Sequence, residues 1–487
     1  MTNQPTPPDN TPGSNHPSDS DNPKRAHNPN GSDGTTARSI RVPILTRVEG
    51  EGALNIELHG PSVHRVELNI YEPPRFFEAL LKGRSIHEVA DITSRICGIC
   101  PIAYQVTAAQ AIEQALGITL PYELAALRRL IYCAEWIESH VLHIHLLHAP
   151  DFFECHSAVD LAKKFPLEVQ RGLKLKQLGN RILEVLGGRA IHPINIAIGG
   201  FYRLPSHNDL SALIPAIEQG LSWAVDASQW IATLPFPNQS FPYDFVSLAH
   251  PEHYPIEDGY IATDSPDTTG NSIIAVKDYE SHFREVQVPH STALQSRRIH
   301  AHQPTNASTV ARETTTPTTD SNYFVGPLAR LHNNRQNLSP IARKLADTLR
   351  LDTSQRNPYH SILARAIEVV FAFEEALRIL RALHPTRTPK IDFTLRAGVG
   401  YSATEAPRGL IFHRYEFDDL GRVLFAKIVP PTSQNQGQIE ADLRTLVSQI
   451  HSEQDLFIAK SCEQLVRNYD PCISCSTHFM KVHIHRR

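Results

Sequence analysis

From Ser39 the chain sets Val, Ile and Leu against polar residues at every second place. The stretch is "SIRVPILTRVEGEGALNIELHGPSVHRVELNIYEPP", in which Gly and Pro break the apolar runs. A period of two with such breaks predicts a small antiparallel sheet near the N-terminus. The period then lengthens. After Cys100, Pro101 suits the first turn of a helix, and Ile102, Val106, Ala109, Ile112 and Leu116 follow at helical spacing until Gly117. A longer helix is expected over about 121–149, stopped by Pro150, and another over about 166–186, stopped by "GG". Further helical periods cover about 207–234, 339–350 and 359–384. The fold class that follows is mainly α (α+β), a large helical core with a small antiparallel β segment near the N-terminus.

Two stretches lack such periods. Residues 1–38 are Pro, Asn, Ser, Asp and Gly with almost no apolar side chains, so they cannot offset chain entropy by burial and are expected to be disordered; a docking tail is the functional alternative. The middle, about 240–330, turns polar and Thr-rich ("HSTALQSRRIHAHQPTNASTVARETTTPTTDSN"), and about 285–325 is expected to form a surface insertion.

Composition narrows the class. The chain has 487 residues, of which 41% are hydrophobic and 20% charged, enough apolar material for a large core. A net charge of −4 argues against nucleic acid as a partner. The absence of eighteen consecutive apolar residues argues against a membrane span, and no charged n-region with an apolar h-region opens the chain. Four of the seven cysteines fall into C-x-x-C pairs, Cys97/Cys100 and Cys472/Cys475, which in a reducing compartment points to metal or redox chemistry.

One C-x-x-C alone fits a thioredoxin-type dithiol, half a zinc site or an iron–sulfur ligand pair. No βαβ context favours the first. Two pairs provide four thiolates, the number for a tetrahedral ion or a cluster. Structural zinc usually closes short loops, whereas these pairs lie near opposite ends of the chain. A buried catalytic metal is therefore the stronger of two open readings.

The flanks carry a resemblance. "RICGICP" and "DPCISCSTH" resemble the two signature regions of the nickel–iron hydrogenase large subunit. "RVEGEG", "PPRFFEALLKGRSIHEVADITSRICGIC" with Glu78 nineteen residues before Cys97, "GGRAIHPINIAIGGF" and "EAPRGLIFH" resemble further blocks of that family, in order over about 40–487. Glu51 and Tyr104 stand where the membrane-associated branch usually has His, so the likeness is to the cytoplasmic NAD(P)-linked, sulfhydrogenase-type branch.

The resemblance implies a catalytic subunit that reversibly oxidises dihydrogen. By motif, Cys97 and Cys472 are terminal nickel ligands, and Cys100 and Cys475 bridge nickel to an iron bearing carbonyl and cyanide. Glu49 is the implied proton relay, and its ordinary reading is a turn glutamate. Arg408 is implied to lie over the metals, with Asp470 and Asp151 as the carboxylates that pair with it; an ion-pairing loop arginine and helix-end acids are the ordinary readings. Glu78, the carbonyl of Lys427 and His478 resemble ligands of a separate magnesium (or third iron) site, where the Lys427 side chain would be irrelevant. Pro431 stands where many relatives carry a hydroxyl near a cyanide, with Thr432 next. The implied partners are an iron–sulfur small subunit, flavin and iron–sulfur subunits reaching NAD(P), nickel-insertion proteins, and a maturation endopeptidase that removes 479–487 from a 39–478 domain. A regulatory subunit that senses dihydrogen and a non-catalytic metal-binding scaffold are the rival functions. His140, His143, His145 and His148 are expected to be core and interface histidines, and Cys133, Cys155 and Cys462 buried thiols.

Overall fold

The computed structural model describes residues 37–72, 75–266, 272–300, 319–384 and 386–477. The 1–38 tail apart from its last two residues, His478 and the segment 479–487 lie outside the described residues.

Strands Ala37–Val42, Gly52–His59 and Ser62–Ile70 pair in sequence order as an antiparallel sheet, with Ile40 opposite Ile56 and Ile56 opposite Val66. Alternate residues Leu54, Ile56, Leu58, Val66 and Leu68 are buried, which is the period of two read from the sequence. The last strand packs on the helix Pro431–Ile450.

The helical core is built from Pro101–Leu116, Tyr122–Leu142, Pro166–Gly187, Ile214–Ile231 and Ser361–Ala382. The helix expected over 121–149 is α-helical only to Leu142. It continues as a π turn, His143–His148, and a 3-10 turn, Ala149–Phe153. Such a widened turn swings the side chains that follow out of the helical register. The stretch expected as one helix over 207–234 is divided into His207–Ser211 and Ile214–Ile231, where Pro215 opens the second helix.

The middle of the chain departs from its reading as a surface excursion. It holds two three-stranded sheets, Phe245–Ala249 with Tyr260–Asp264 and Ser272–Ile274, and Phe283–Gln287 with Leu294–His300 and Thr319–Ser321. Val246, Leu248, Ile261, Phe283 and Leu294 are buried. These strands are short and separated by polar turns, so their apolar residues never form a run long enough to stand out. Residues 301–318 of the proposed insertion lie outside the described residues.

A final antiparallel sheet, Gly398–Ala406, Gly409–Phe417 and Val423–Val429, lies against Pro101–Leu116. Its first hairpin turns through Pro407 and Arg408, which places Arg408 at a buried tip.

Candidate metal centre

Cys97 and Cys100 occupy the turn between the helices Ile86–Ser94 and Pro101–Leu116. The second helix begins buried, so its free amides need partners. Glu135 supplies them: one carboxylate oxygen accepts from Ile102 N at 2.6 Å and the other from Ala103 N at 3.0 Å. Burial drives the Glu135 carboxyl well up from its usual range, against the effect of those two bonds. The sequence reading did not single out Glu135. Two acids, Glu135 and Glu138, amid "RRLIYCAEWIESHVL", a run facing the core, were the available signal.

The second pair approaches from the other end of the chain. Asp470 has φ 52 and turns the backbone after the helix Asp455–Asn468. Cys472 then bridges to Glu49 in parallel register, with Ile473 N donating to Glu49 O at 2.8 Å. Cys472 N donates to Thr432 Oγ1 at 3.0 Å, so the residue after Pro431 holds the thiol-bearing backbone. Gly50 carries φ 87, and a Cβ there would lie 2.8 Å from that of Ile473. Only glycine lets the two segments run this close.

The four thiols meet in one buried cluster. Their sulfurs are 3.0 Å apart for Cys97–Cys100, 3.5 Å for Cys97–Cys472, 3.9 Å for Cys100–Cys475 and 2.7 Å for Cys472–Cys475. All four lie within 4.8 Å of one another. Metal–thiolate bonds of about 2.3 Å set tetrahedral sulfur–sulfur edges of roughly 3.8 Å, so the set is of the right size for metal. Cys97 is held well below the usual thiol range: burial opposes this, but hydrogen bonds from the other three thiols and the Arg408 charge outweigh it. The thiols of Cys472 and Cys475 are pushed up, chiefly by burial.

Charged groups surround the sulfurs. One Glu49 oxygen lies 3.0 Å from Cys472 Sγ and accepts from Ser474 N at 3.1 Å. Arg408 is buried and donates to the Asp470 carbonyl at 2.7 Å and to its carboxylate at 3.2 Å. Burial disfavours its charge, but Asp470 and the thiols hold the guanidinium firmly protonated. Burial raises Asp470 from the usual carboxylate range, with Arg408 and Arg365 opposing.

Asp151 does not pair with Arg408. Its oxygens accept from Arg467 at 2.7 and 2.9 Å, and it forms a further ion pair with Arg47. The π and 3-10 turns carry Asp151 between those two arginines. It therefore ties the segment before Glu49 to the segment before Asp470.

Glu78 lies in the first turn of the short helix Phe77–Leu81 and accepts from Ile428 N at 2.7 Å. Burial, and then Glu285, lift its carboxyl to about 8. The Lys427 ammonium lies 3.5 Å from Glu280 and 3.4 Å from Glu285. The side chain expected to be irrelevant is thus a counter-charge in this acidic group. His478 lies outside the described residues. One residue that the sequence reading gave no role at the centre also stands by it. Tyr104, noted only as a branch marker, has a raised phenol, by burial first and the thiols next; its ring lies 5.8 Å from that of buried His413.

His140, His143, His145 and His148 are all buried. His140 bonds Glu368 at 2.9 Å, His143 bonds the Arg467 carbonyl at 2.7 Å, and His145 stacks on Trp230. Cys133, Cys155 and Cys462 are buried free thiols.

A family model described as nickel-dependent hydrogenase matches residues 75–172. Over 447 residues the chain is 31% identical to the alpha subunit of sulfhydrogenase 1 of Pyrococcus furiosus, covering 91% of this chain and 98% of that protein.

The chain belongs to the nickel-dependent hydrogenases.

The F420-non-reducing vhu hydrogenase of Methanocaldococcus jannaschii has a subunit that is 28% identical over 419 residues, 81% of this chain and 95% of that one. A solved NAD+-reducing nickel–iron hydrogenase in its H2-reduced state aligns with a TM-score of 0.79 at 25% identity, covering 91% of this chain and all of that one. The α+β fold is that of nickel–iron hydrogenase large subunits, and the family are oxidoreductases acting on hydrogen. Four soft, buried thiolates suit the nickel and iron of such a hydrogenase. Among the described residues no helix is long and apolar enough to cross a membrane.

In this hydrogenase Arg408→Lys is expected to keep full nickel and iron while dihydrogen-dependent dye reduction falls by about 100-fold, the order lost when one preorganised electrostatic donor is removed. Lysine keeps the charge but lacks the fork that spans the Asp470 carbonyl and carboxylate. Near-normal turnover with normal metal content would refute an electrostatic role for Arg408.

Proposed function

We propose that this chain is the dihydrogen-splitting subunit of a multisubunit, cytoplasmic, NAD(P)-linked hydrogenase. The observation that carries the reading is Glu49, 3.0 Å from Cys472 Sγ at the edge of the buried four-thiol cluster. Cys97, Cys100, Cys472 and Cys475 would hold nickel, and Cys100 and Cys475 would also serve an iron with carbonyl and cyanide ligands. The metal pair, when bound, supplies a Lewis-acidic, electron-accepting centre for heterolysis of dihydrogen.

The chain's own residues do the rest. Glu49 takes the proton from beside Cys472 Sγ and carries it away, with Ser474 N orienting the carboxylate. Arg408 keeps positive charge beside the reacting position, and Asp470 holds its fork in place. Asp151 acts through Arg47 and Arg467, as a positioning residue. Glu78, the Lys427 carbonyl and His478 would hold a magnesium ion (or a third iron). The raised Glu78 beside Glu280 and Glu285 supports this, since a hard dication would relieve their repulsion.

Two electrons must leave for each dihydrogen oxidised. The other three cysteines lie outside the four-thiol group, and among the described residues no second group of thiols could hold an iron–sulfur cluster. An iron–sulfur small subunit therefore takes the electrons, and flavin and iron–sulfur subunits pass them to NAD(P). The likeness to a sulfhydrogenase alpha subunit and to an NAD+-reducing enzyme supports that route. Residues 39–478 are the hydrogenase domain and 1–38 a tail whose last two residues already join the strand Ala37–Val42. Nickel-insertion proteins load the site, after which an endopeptidase removes 479–487.

Metal analysis with intact mass of the active protein tests the reading. Nickel and iron are expected in a chain that ends at His478. Stoichiometric zinc without nickel would overturn the metal assignment, and an active chain still carrying Arg487 would overturn the processing.

A further inference from the structure

A second group of ligand-type side chains lies on the loop between the strands Phe245–Ala249 and Tyr260–Asp264. It shares no residue with the four-thiol centre or with the Glu78 group. We propose that His250, His253 and Asp258 form a binding site for a borderline divalent transition metal, zinc or nickel.

One ligand atom from each of the three lies within 4.8 Å of the other two. His253 Nε2 and Asp258 Oδ1 share a 2.8 Å hydrogen bond, and a shift to about 3.3 Å lets both bind one tetrahedral ion. The His250 and His253 rings are stacked, with centroids 3.7 Å apart and planes 25° from parallel. Two imidazoles this close repel when both are charged. A shared cation would relieve that repulsion by binding both rings in their neutral form. His250 Nδ1 accepts only a 3.2 Å bond from the Glu252 amide, weak enough to be given up to a metal.

The loop is fixed along its length. Asn337 donates to the His250 carbonyl at 2.6 Å, Arg129 to the Tyr254 carbonyl at 2.8 Å, and Glu405 N to the Ile256 carbonyl at 2.7 Å. The Tyr254 ring is buried and its hydroxyl bonds Glu368. At the far foot Gly259 has φ 137, and a Cβ there would sit 2.6 Å from the Ala249 carbonyl oxygen. An anchored backbone with outward ligand side chains is how a site is preorganised. The three bonds from Asn337, Arg129 and Glu405 use no proposed ligand side chain. Two imidazoles and a carboxylate favour zinc, nickel or copper(II) over magnesium or calcium, and water fills the remaining positions.

The test uses the loaded hydrogenase complex, washed with chelator and titrated with Zn2+ alone by calorimetry and metal analysis. The wild type is expected to take up one zinc more than His253→Ala or Asp258→Asn. Any residual binding in those variants should be weaker by at least about tenfold, the lower end of what loss of even an outer-shell partner costs. His207→Ala, at an exposed histidine elsewhere, should match the wild type. Dye reduction and nickel content should be unchanged in all the variants, which shows that they are folded. Equal zinc uptake in wild type and both loop variants, or displacement of the zinc by millimolar Mg2+, would overturn the site.

Discussion

Cys97→Ser and Cys475→Ser proteins are expected to retain less than about a tenth of the wild-type nickel and to lose dihydrogen-dependent dye reduction altogether. Loss of an outer-shell partner already costs about 10- to 100-fold in metal affinity, and a ligand should cost at least as much. The hydroxyl of serine is a harder and far more basic donor than a thiol, so it is a poor ligand for soft, electron-rich metals. The two positions are informative together because they come from opposite ends of the chain and lie in one cluster. Cys133→Ser is the control. Cys133 is buried on Tyr122–Leu142, burial drives its thiol above the usual range, and it is not one of the four clustered thiols. That variant should keep its nickel and most of its rate, with a modest loss of stability. Full nickel and activity in either Cys97→Ser or Cys475→Ser would remove the four-thiol centre as the metal site.

Glu49→Gln is expected to leave nickel and iron in place while exchange between dihydrogen and deuterated solvent falls by about 100-fold or more, the order that a positioned proton carrier contributes. Glutamine nearly matches glutamate in size and can still accept from Ser474 N, so the short approach to Cys472 need not change. It cannot take up a proton at neutral pH. Ortho–para conversion of dihydrogen, which does not require a proton to leave the protein, should persist. Glu49→Asp should retain part of the exchange if a water completes the reach. A Glu49 that merely fixed a turn would give the opposite pattern, with near-normal exchange in the glutamine protein and a small loss of stability. Normal solvent exchange in a fully metallated Glu49→Gln protein would take Glu49 off the proton path.

The elements that set up the first thiol pair were legible because their signals are local. A period of 3.6 after Pro101, with Gly117 at the end, gives the helix Pro101–Leu116. A period of two gives the N-terminal sheet. The strands between 245 and 321 carry the same kind of signal, but in runs of three to seven residues divided by polar turns. Pairing and burial against the rest of the fold, rather than intrinsic preference, hold such strands. The π turn at His143–His148 was likewise unreadable, because a single widened turn is too short to set a period of its own.

For the site, the sequence by itself determined the donor set: two C-x-x-C pairs in flanks that resemble one family, with Glu49, Arg408 and Asp470 in the neighbouring motifs. Which groups touch was decided by the tertiary structure. Asp151 meets Arg47 and Arg467 instead of Arg408 because the chain widens just before it. Glu135 bonds the helix that starts beside Cys100 from a separate helix, and the Lys427 side chain counters two acids of another strand and turn. His250 and Asp258 come together only because Tyr254, Ile256 and Gly259 hold the loop in an arch. Local spacing is fixed by backbone geometry and can be read along the chain. Contacts between distant segments depend on how long side chains pack in three dimensions, and one widened turn is enough to redirect them.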